Sequence, residues 1–244
     1  MTGSGTNIAL VTGGSAGIGA AIRRDLLAAG YTVISLDREP CPDPVPGLHS
    51  HVIDLSDSTA TAALAQRIAA AHPVTTLVHN AGAIRPALLG EVQLEDYELL
   101  SRLHVGALIT LGQAFLPAMK AAGFGRIVTI SSRAVLGLET RTSYAATKAA
   151  QIGLTRTWAM ELGRFGITVN AIAPGPVLTP QFRGAVPQGD PREQKIAQSL
   201  PVRRIGEPAD IARVAMFLLA AESGFITGQT WYVCGGASLG SLAL

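Results

Sequence analysis

The chain has 244 residues, 48% of them hydrophobic and only 15% charged, with a formal net charge of +2; that is enough apolar material for one large α/β domain and too little charge to argue for nucleic acid or an anionic membrane as partner. Its two cysteines, Cys41 and Cys234, form neither a disulfide framework nor a metal-ligand spacing, so a reducing, cytoplasmic compartment and no metal site are expected. No signal-peptide pattern opens the chain, and no run is expected to span a bilayer, since the longest apolar stretch, Leu103 to Met119, is interrupted by His104, Gly106, Gly112, Gln113 and Pro117.

Ile8-Ala9-Leu10-Val11 reads as a strand buried on both faces, as in a parallel sheet. The stretch T-G-G-S-A-G-I-G, residues 12 to 19, follows at once, then an Ala-rich helix to about Ala29 that Gly30 stops. Thr32 to Leu36 reads as a second strand, ending at Asp37. Strand, glycine turn, helix, strand and acid is the order a dinucleotide fold needs. Gly13, Gly17 and Gly19 let the backbone approach a pyrophosphate, and the helix N-terminus offers free N–H groups to it, with Ser15 and Ile18 in the same turn. A carboxylate at Asp37 suits the two ribose hydroxyls and repels a 2′-phosphate, which favours NAD over NADP; the adjoining Arg38 offsets part of that repulsion.

Residues 38–50 are rich in Pro and read as a loop, and His49 to Asp54 as a third strand whose two histidines lack companions for a metal site. Ser58 to Ala71 reads as a helix, Thr75 to His79 as a fourth strand, and Asn80-Ala81-Gly82 as the turn after it. Ligands of open parallel sheets sit outside the carboxyl ends of the strands, and Gly13, Asp37, Asp54 and Asn80 all fall there. Leu94 to about Ala121 reads as one long helix, apolar on more than one side, so that it packs on the sheet and against a second subunit.

Arg126 to Ser131 reads as the fifth strand, with Ser132 at its carboxyl end, and Thr142 to Leu162 as a helix carrying Tyr144 and Lys148 four residues apart on one face. A free phenol ionises near pH 10, and a neighbouring ammonium lowers that value. With the Ser132 hydroxyl approaching from the loop, the three side chains suit reversible proton transfer at a carbonyl. Ile167 to Ile172 is a sixth strand ending at Pro174-Gly175-Pro176, Gln181 to Leu200 a polar segment with a short helical centre that could cover the substrate, Ala209 to Ala221 a helix, and Thr230 to Val233 a last strand.

These pieces resemble the classical short-chain dehydrogenase/reductase family over essentially the whole chain: T-G-x-x-x-G-x-G from Thr12 to Gly19, Asp54-Leu55, Asn80-Ala81-Gly82, Ser132, Tyr144-x-x-x-Lys148, Asn170-Ala171, Pro174-Gly175 with Thr179, Arg204 to Pro208, and Gly235-Gly236. The resemblance implies a single Rossmann-type doubly wound domain over residues 1–244, a seven-stranded parallel sheet with helices on both faces, and a lid at about residues 180–204. It implies Tyr144 as general acid/base, Lys148 as the group that lowers its pKa and holds the nicotinamide ribose, and Ser132 as the group that orients the carbonyl. Asp54 and Leu55 would flank adenine, Asn80 to Gly82 would line the adenosine side, and Pro174 to Thr179, with Val177, would fix the carboxamide. A homotetramer is implied as well.

Three departures stand out. His104 occupies the place where the family usually has an Asn in the long helix, at a distorted backbone holding a relay water; it either replaces that Asn as a proton carrier or leaves the relay to the backbone carbonyl. Ser132 precedes Tyr144 by one residue fewer than is usual, and Ser131 would restore the interval, but the strand end favours Ser132. Cys234 stands where an Asp is frequent and reads as a buried small residue. The expected activity is an NAD(H)-dependent interconversion of a secondary alcohol and a ketone. The alternatives are an NADPH-dependent 3-oxoacyl-thioester reductase and, in another class, a catalytically silent dinucleotide-binding sensor or scaffold. Arg133, Arg141 and Arg183 border the expected pocket, as anion ligands or as solvated arginines; Leu136, Leu138, Val177 and Phe182 would equally suit an apolar substrate.

Overall fold

A computed structural model describes residues 7–42 and 45–239. Its strands are β1 (Ile8–Thr12), β2 (Thr32–Asp37), β3 (Leu48–Val52), β4 (Thr76–His79), β5 (Gly125–Ile130), β6 (Ile167–Pro174) and β7 (Thr230–Val233). They pair in parallel in the order β3-β2-β1-β4-β5-β6-β7. The direction of winding reverses between β1 and β4, and a crevice opens at the carboxyl ends on either side of such a reversal.

Alternation along each strand decides which helix covers which face. Ile8 and Leu10 of β1 point with Ile34, Leu77 and Ile127 toward α2 (Ser58–Ala71), α4 (Ala107–Ala122) and α5 (Thr142–Leu162). Ala9 and Val11 point the other way, with Val33, Val78 and Val128, toward α1 (Gly17–Ala28) and α8 (Pro208–Leu219). Both faces of the strands are therefore apolar, as the continuous runs in the sequence require. Local chemistry fixes the helix starts: Asp57 accepts the Ala60 N–H at 2.9 Å, and Glu207 and Asp210 form a reciprocal capping box.

The expected single helix from Leu94 is divided. α3 (Leu94–Ser101) passes into a π-turn over Arg102–Gly106 before α4 begins. The i→i+5 bonding of a π-turn depends on what packs beside it, and no local pattern announces it. The expectation that no run could span a bilayer is also corrected: Leu94–Ala122 holds an 18-residue window of mean hydropathy 1.4, long and apolar enough on those grounds. In the fold its stripe of Leu108, Leu111, Phe115 and Met119 is buried against the sheet, so the composition serves the core. The segment after β6 holds two helices in place of one, α6 (Pro180–Ala185) and α7 (Pro191–Ser199), each started by a proline in its first turn and capped by Thr179 and Asp190. The third strand is shorter than expected and ends at Val52, leaving Asp54 in the loop beyond it. At the end of the chain, Ser238 to Leu244 forms an apolar tail, of which residues 240–244 lie outside the described residues and Leu239 is exposed.

Candidate active site

Thr12, the last residue of β1, is the joint between the two halves of the sheet. Its hydroxyl accepts the N–H groups of Asn80 and Ala81, each at 3.0 Å, and meets His79 Nδ1 at 3.2 Å. Asn80 Nδ2 donates back to the carbonyls of Thr12 (3.1 Å) and Gly13 (3.0 Å). The Asn80 side chain thus staples the turn after β4 to the turn after β1, and it is the backbone there that faces the crevice. Gly13 has φ +67, a left-handed conformation that side chains disfavour. α1 starts after Ala16 without any side-chain cap, so its first N–H groups are free for an anion, and a dinucleotide pyrophosphate fits that end.

A cleft of about 1280 Å³ lies over these strand ends. Every site residue expected from the sequence lines it except Ser15 and Gly19. The Ser15 N–H donates to Asp37 Oδ2 (2.9 Å) and its hydroxyl to the Glu39 carbonyl (2.6 Å), so Ser15 braces the acid from outside the cleft. Gly19 is buried directly under Gly13. Asp54 accepts both the N–H (2.9 Å) and the hydroxyl (2.7 Å) of Ser56, and these bonds hold its carboxyl below the usual carboxylate range. Gly175 owes its identity to Cys234: a Cβ at Gly175 would fall 2.7 Å from the Cys234 Cα, and Cys234 is the buried small residue its context suggested.

Ser132 and Ser131 take different work. The Ser131 hydroxyl is buried and donates to the Lys148 carbonyl at 2.8 Å, tying the strand end to α5. Ser132 Oγ accepts the Ala134 N–H at 3.1 Å as cap of a short 3₁₀ turn, which leaves its own O–H to donate toward the Tyr144 phenol or into the cleft. Lys148 is 2% exposed. Its Nζ donates to the Ile130 carbonyl at 2.7 Å and lies 5.8 Å from the centre of the Tyr144 ring. Burial lowers the Lys148 pKa to about 7. Burial also raises the Tyr144 pKa, opposed by the Ser132 hydroxyl and by the charge of Arg141. The groups acting against the burial of the phenol are therefore Ser132 and Arg141, where the spacing alone suggested Lys148.

The buried lysine has a consequence for stability. Its folded pKa, about 7, lies below its ordinary 10.5, so the unfolded chain binds the additional proton between those values. The contribution of Lys148 is then least favourable below pH 7 and improves as pH rises through that window. Comparing wild type with Lys148→Met by urea unfolding at about pH 7 and about pH 9.5, we expect the wild-type advantage to grow by a few kcal/mol, each tenfold change in proton affinity being worth about 1.4 kcal/mol. A difference independent of pH would contradict a neutralised Lys148.

The π-turn places His104 between the catalytic helix and the turn after β4. Its Nε2 accepts the Ala83 N–H at 3.1 Å, which assigns the ring proton to Nδ1, and Nδ1 lies 2.8 Å from Thr147 Oγ1. Thr147 Oγ1 in turn donates to the carbonyl of Ser143 (3.1 Å) or Tyr144 (3.0 Å). Burial and the charge of Lys148 drive the His104 pKa far below its ordinary range. Both ring nitrogens are occupied, so His104 is a neutral tie and no nitrogen is free to carry protons. Its main-chain carbonyl accepts Gln151 Nε2 at 2.9 Å. His79, not singled out from the sequence, is a second buried histidine: its pKa is lowered to about 3, chiefly by burial and then by Lys148. Its signal was its place at the strand end just before Asn80. Arg183, grouped with the pocket arginines, instead pairs with Glu193 at 2.5 and 3.0 Å and clasps α6 to α7.

A doubly wound parallel sheet, an uncapped helix N-terminus behind a glycine turn, and a Tyr–Lys pair on the facing wall define an oxidoreductase that works on CH–OH or carbonyl groups with a nicotinamide dinucleotide. A family model described as enoyl-(acyl carrier protein) reductase matches residues 13–238. An acetoacetyl-CoA reductase from Rhizobium meliloti is 38% identical over 238 residues, covering 95% of this chain and 98% of that one. A (2S)-[(R)-hydroxy(phenyl)methyl]succinyl-CoA dehydrogenase subunit from Thauera aromatica is 36% identical over 242 residues, covering 95% and 96%. The solved structure of an aldohexose dehydrogenase from Thermoplasma acidophilum superposes with a TM-score of 0.91 at 25% identity, covering 98% and 96%. The chain belongs to the short-chain dehydrogenase/reductase family.

Proposed function

We propose that residues 1–244 form one dinucleotide-binding and catalytic unit that interconverts a secondary alcohol and a ketone, with NAD(H) preferred. The observation that carries this is the convergence of Ser132, Tyr144 and Lys148 on the same cleft as Gly13 and Asp37. Gly13, Gly17 and Ile18 would hold the pyrophosphate, Asp37 the adenosine ribose, Asp54 and Leu55 the adenine, and Pro174, Gly175, Val177 and Thr179 the nicotinamide end. Held there, a nicotinamide dinucleotide would supply or accept the hydride. Ser132 donates a hydrogen bond from its O–H to the substrate oxygen and keeps its proton. Tyr144 passes a proton to or from that oxygen as it changes between carbonyl and alcohol. Lys148, with its pKa brought to about 7, gains or loses its charge near neutral pH beside a phenol that burial keeps protonated until a substrate oxygen takes its proton. Phe182, Val186 and Leu200 line the cleft from the α6–α7 segment, which acts as the lid over residues 180–204. A homotetramer in the cytoplasm is the assembly we favour, and the 87% exposure of apolar Met160 on the outer side of α5 supports burial against another subunit.

The second reading is an NADPH-dependent 3-oxoacyl-thioester reductase. It draws support from the names of relatives: besides the acetoacetyl-CoA reductase, a 3-oxoacyl-[acyl-carrier-protein] reductase from Thermotoga maritima is 33% identical over 242 residues. The two readings part at the adenosine ribose. The Asp37 carboxylate is fixed by the amides of Ser15 (2.9 Å) and Glu39 (3.3 Å) and lines the cleft. Fixed there, it bonds ribose hydroxyls and repels a 2′-phosphate. We expect kcat/KM to favour NAD(H) by about tenfold or more, and Asp37→Ser to shift the ratio toward NADP(H) by about 10- to 100-fold, each tenfold step being worth about 1.4 kcal/mol. A wild-type preference for NADP(H) would favour the thioester reading.

A further inference from the structure

We propose that the substrate carries a carboxylate within a few bonds of its reacting carbon, and that Arg141, assisted by Arg133, binds it. This deepens the function proposed above and rests on it.

The charged side chains lining the cleft are unevenly spread, with Arg38 the one base next to its acids. Its acids are Asp37 and Asp54, both near the carboxyl ends of β2 and β3 and both already bonded to Ser15 and Ser56. Beside Ser132 and Tyr144 the lining residues include, besides the buried Lys148 that bonds the Ile130 carbonyl, Arg133 and Arg141. Arg133 and Arg141 are half-buried, and among the described residues neither forms an ion pair. Arg85, also on the cleft, is by contrast paired with Asp96 at 3.1 Å. A buried guanidinium can be satisfied by carbonyls, as Arg126 is by those of Gly125, Gly166, Ala220 and Ala221, but one that lines a cleft with donors left over can take an anion there.

Arg141 is also held in a built position. Thr140, just before it, has φ +63, a left-handed conformation that costs a β-branched residue on the order of 1–3 kcal/mol. The surroundings impose it: the Thr140 carbonyl accepts the Ala87 N–H at 3.0 Å, in a bridge that joins this loop to the one after β4. Arg141 Nη1 donates to that carbonyl at 3.3 Å and to Thr140 Oγ1. One corner of the guanidinium is thereby fixed, while Nε and Nη2 have no partner among the described residues. That is the pair of donors a carboxylate accepts side by side. Arg133 is anchored through Nε to the Ala237 carbonyl at 3.1 Å and through Nη1 to the Gly137 carbonyl at 3.5 Å, and its charge adds to that of Arg141.

Position selects the source of the anion. Arg141 immediately precedes α5, and the Tyr144 phenol in the first turn of that helix senses its charge. Arg141, the residue before α5, and Tyr144 in its first turn line the same cleft, so an anion on Arg141 shares the pocket with the oxygen that Tyr144 would protonate. A carboxylate on a short hydroxy or oxo acid meets that requirement; the phosphates of a thioester carrier lie many bonds from the reacting carbon.

The test uses the full-length protein with 2- and 3-hydroxy acids, each paired with its methyl ester, and reads dinucleotide reduction. We expect kcat/KM to favour the acids by about tenfold or more, Arg141→Gln to erase most of that ratio through KM, and Arg141→Lys to recover part of it. Dinucleotide binding and melting temperature of Arg141→Gln confirm an intact fold. Esters turned over as well as acids, or a ratio that Arg141→Gln leaves unchanged, would overturn the carboxylate while the oxidoreductase stands. A preference for coenzyme A thioesters over pantetheine thioesters that Arg141→Gln removes would reassign the arginine to a phosphate and overturn it too. Absence of turnover on every alcohol and ketone with either dinucleotide would remove the proposed function, and this inference with it.

Discussion

Tyr144→Phe is expected to reduce kcat by about three orders of magnitude, within the 10²- to 10⁴-fold range that a positioned acid/base contributes, while changing dinucleotide affinity little. The substitution deletes one oxygen and keeps the ring. The edge-to-face contact with His104, centres 5.7 Å apart at 83°, survives in Phe. So does the Lys148 bond to the Ile130 carbonyl, which does not involve the phenol. What disappears is the proton transfer to the substrate oxygen, and Ser132 cannot supply it alone, because an aliphatic hydroxyl can bond the oxygen but is a poor acid. The loss should therefore fall on kcat and leave KM nearly unchanged. Steady-state rates beside a fluorescence titration of NADH decide the matter, and turnover close to wild type would refute the role given to Tyr144.

The parts of this site that follow a local rule are legible in the residues themselves. A strand buried on both faces writes its apolar run into the sequence, as at Ile8 to Val11, and a turn that needs glycine writes itself at Gly13 and Gly17. Because every strand of the sheet runs the same way, finding the strand ends is enough to bring Gly13, Asp37, Asn80 and Ser132 to one crevice. What stays hidden depends on contacts between distant segments. Ser15 shares its turn with true cleft residues, but its amide is claimed by Asp37 from the next strand. Asn80 looks like a ligand-facing side chain and is spent on Thr12 and Gly13. The π-turn at Arg102–Gly106 has helical composition throughout. The pKa of Lys148 answers to burial, a property of the whole fold, more than to the tyrosine one turn away. The spacing of Ser132 and Ser131 from Tyr144 leaves two candidates, and only their hydrogen bonds distinguish them.

Gly19→Ala tests the same division between local and distant causes, and the two predict opposite signs. Gly19 lies in α1 and does not have a left-handed φ. On helix propensity alone, alanine there would stabilise the protein by about 1 kcal/mol. Packing says otherwise: a Cβ at this position would lie 1.9 Å from the Gly13 carbonyl oxygen and 2.5 Å from Asn80 Nδ2. The first of those neighbours is backbone and cannot rotate away, and the second is the amide whose 3.0 Å bond to the same carbonyl closes the joint between β1 and β4. The methyl must push the start of α1 off the glycine turn, separating the free N–H groups from the place the pyrophosphate needs them. Overpacking of this kind costs about 1–3 kcal/mol of stability, and we expect dinucleotide affinity to fall by about 100-fold, equivalent to about 2.7 kcal/mol. Gly30→Ala is the control: nothing lies within 4 Å of its Cβ, but φ is +83, so strain should lower the melting temperature and leave dinucleotide binding untouched. Gly19→Ala binding NADH as wild type does would mean that the contact between Gly19 and Gly13 does not shape the cofactor site.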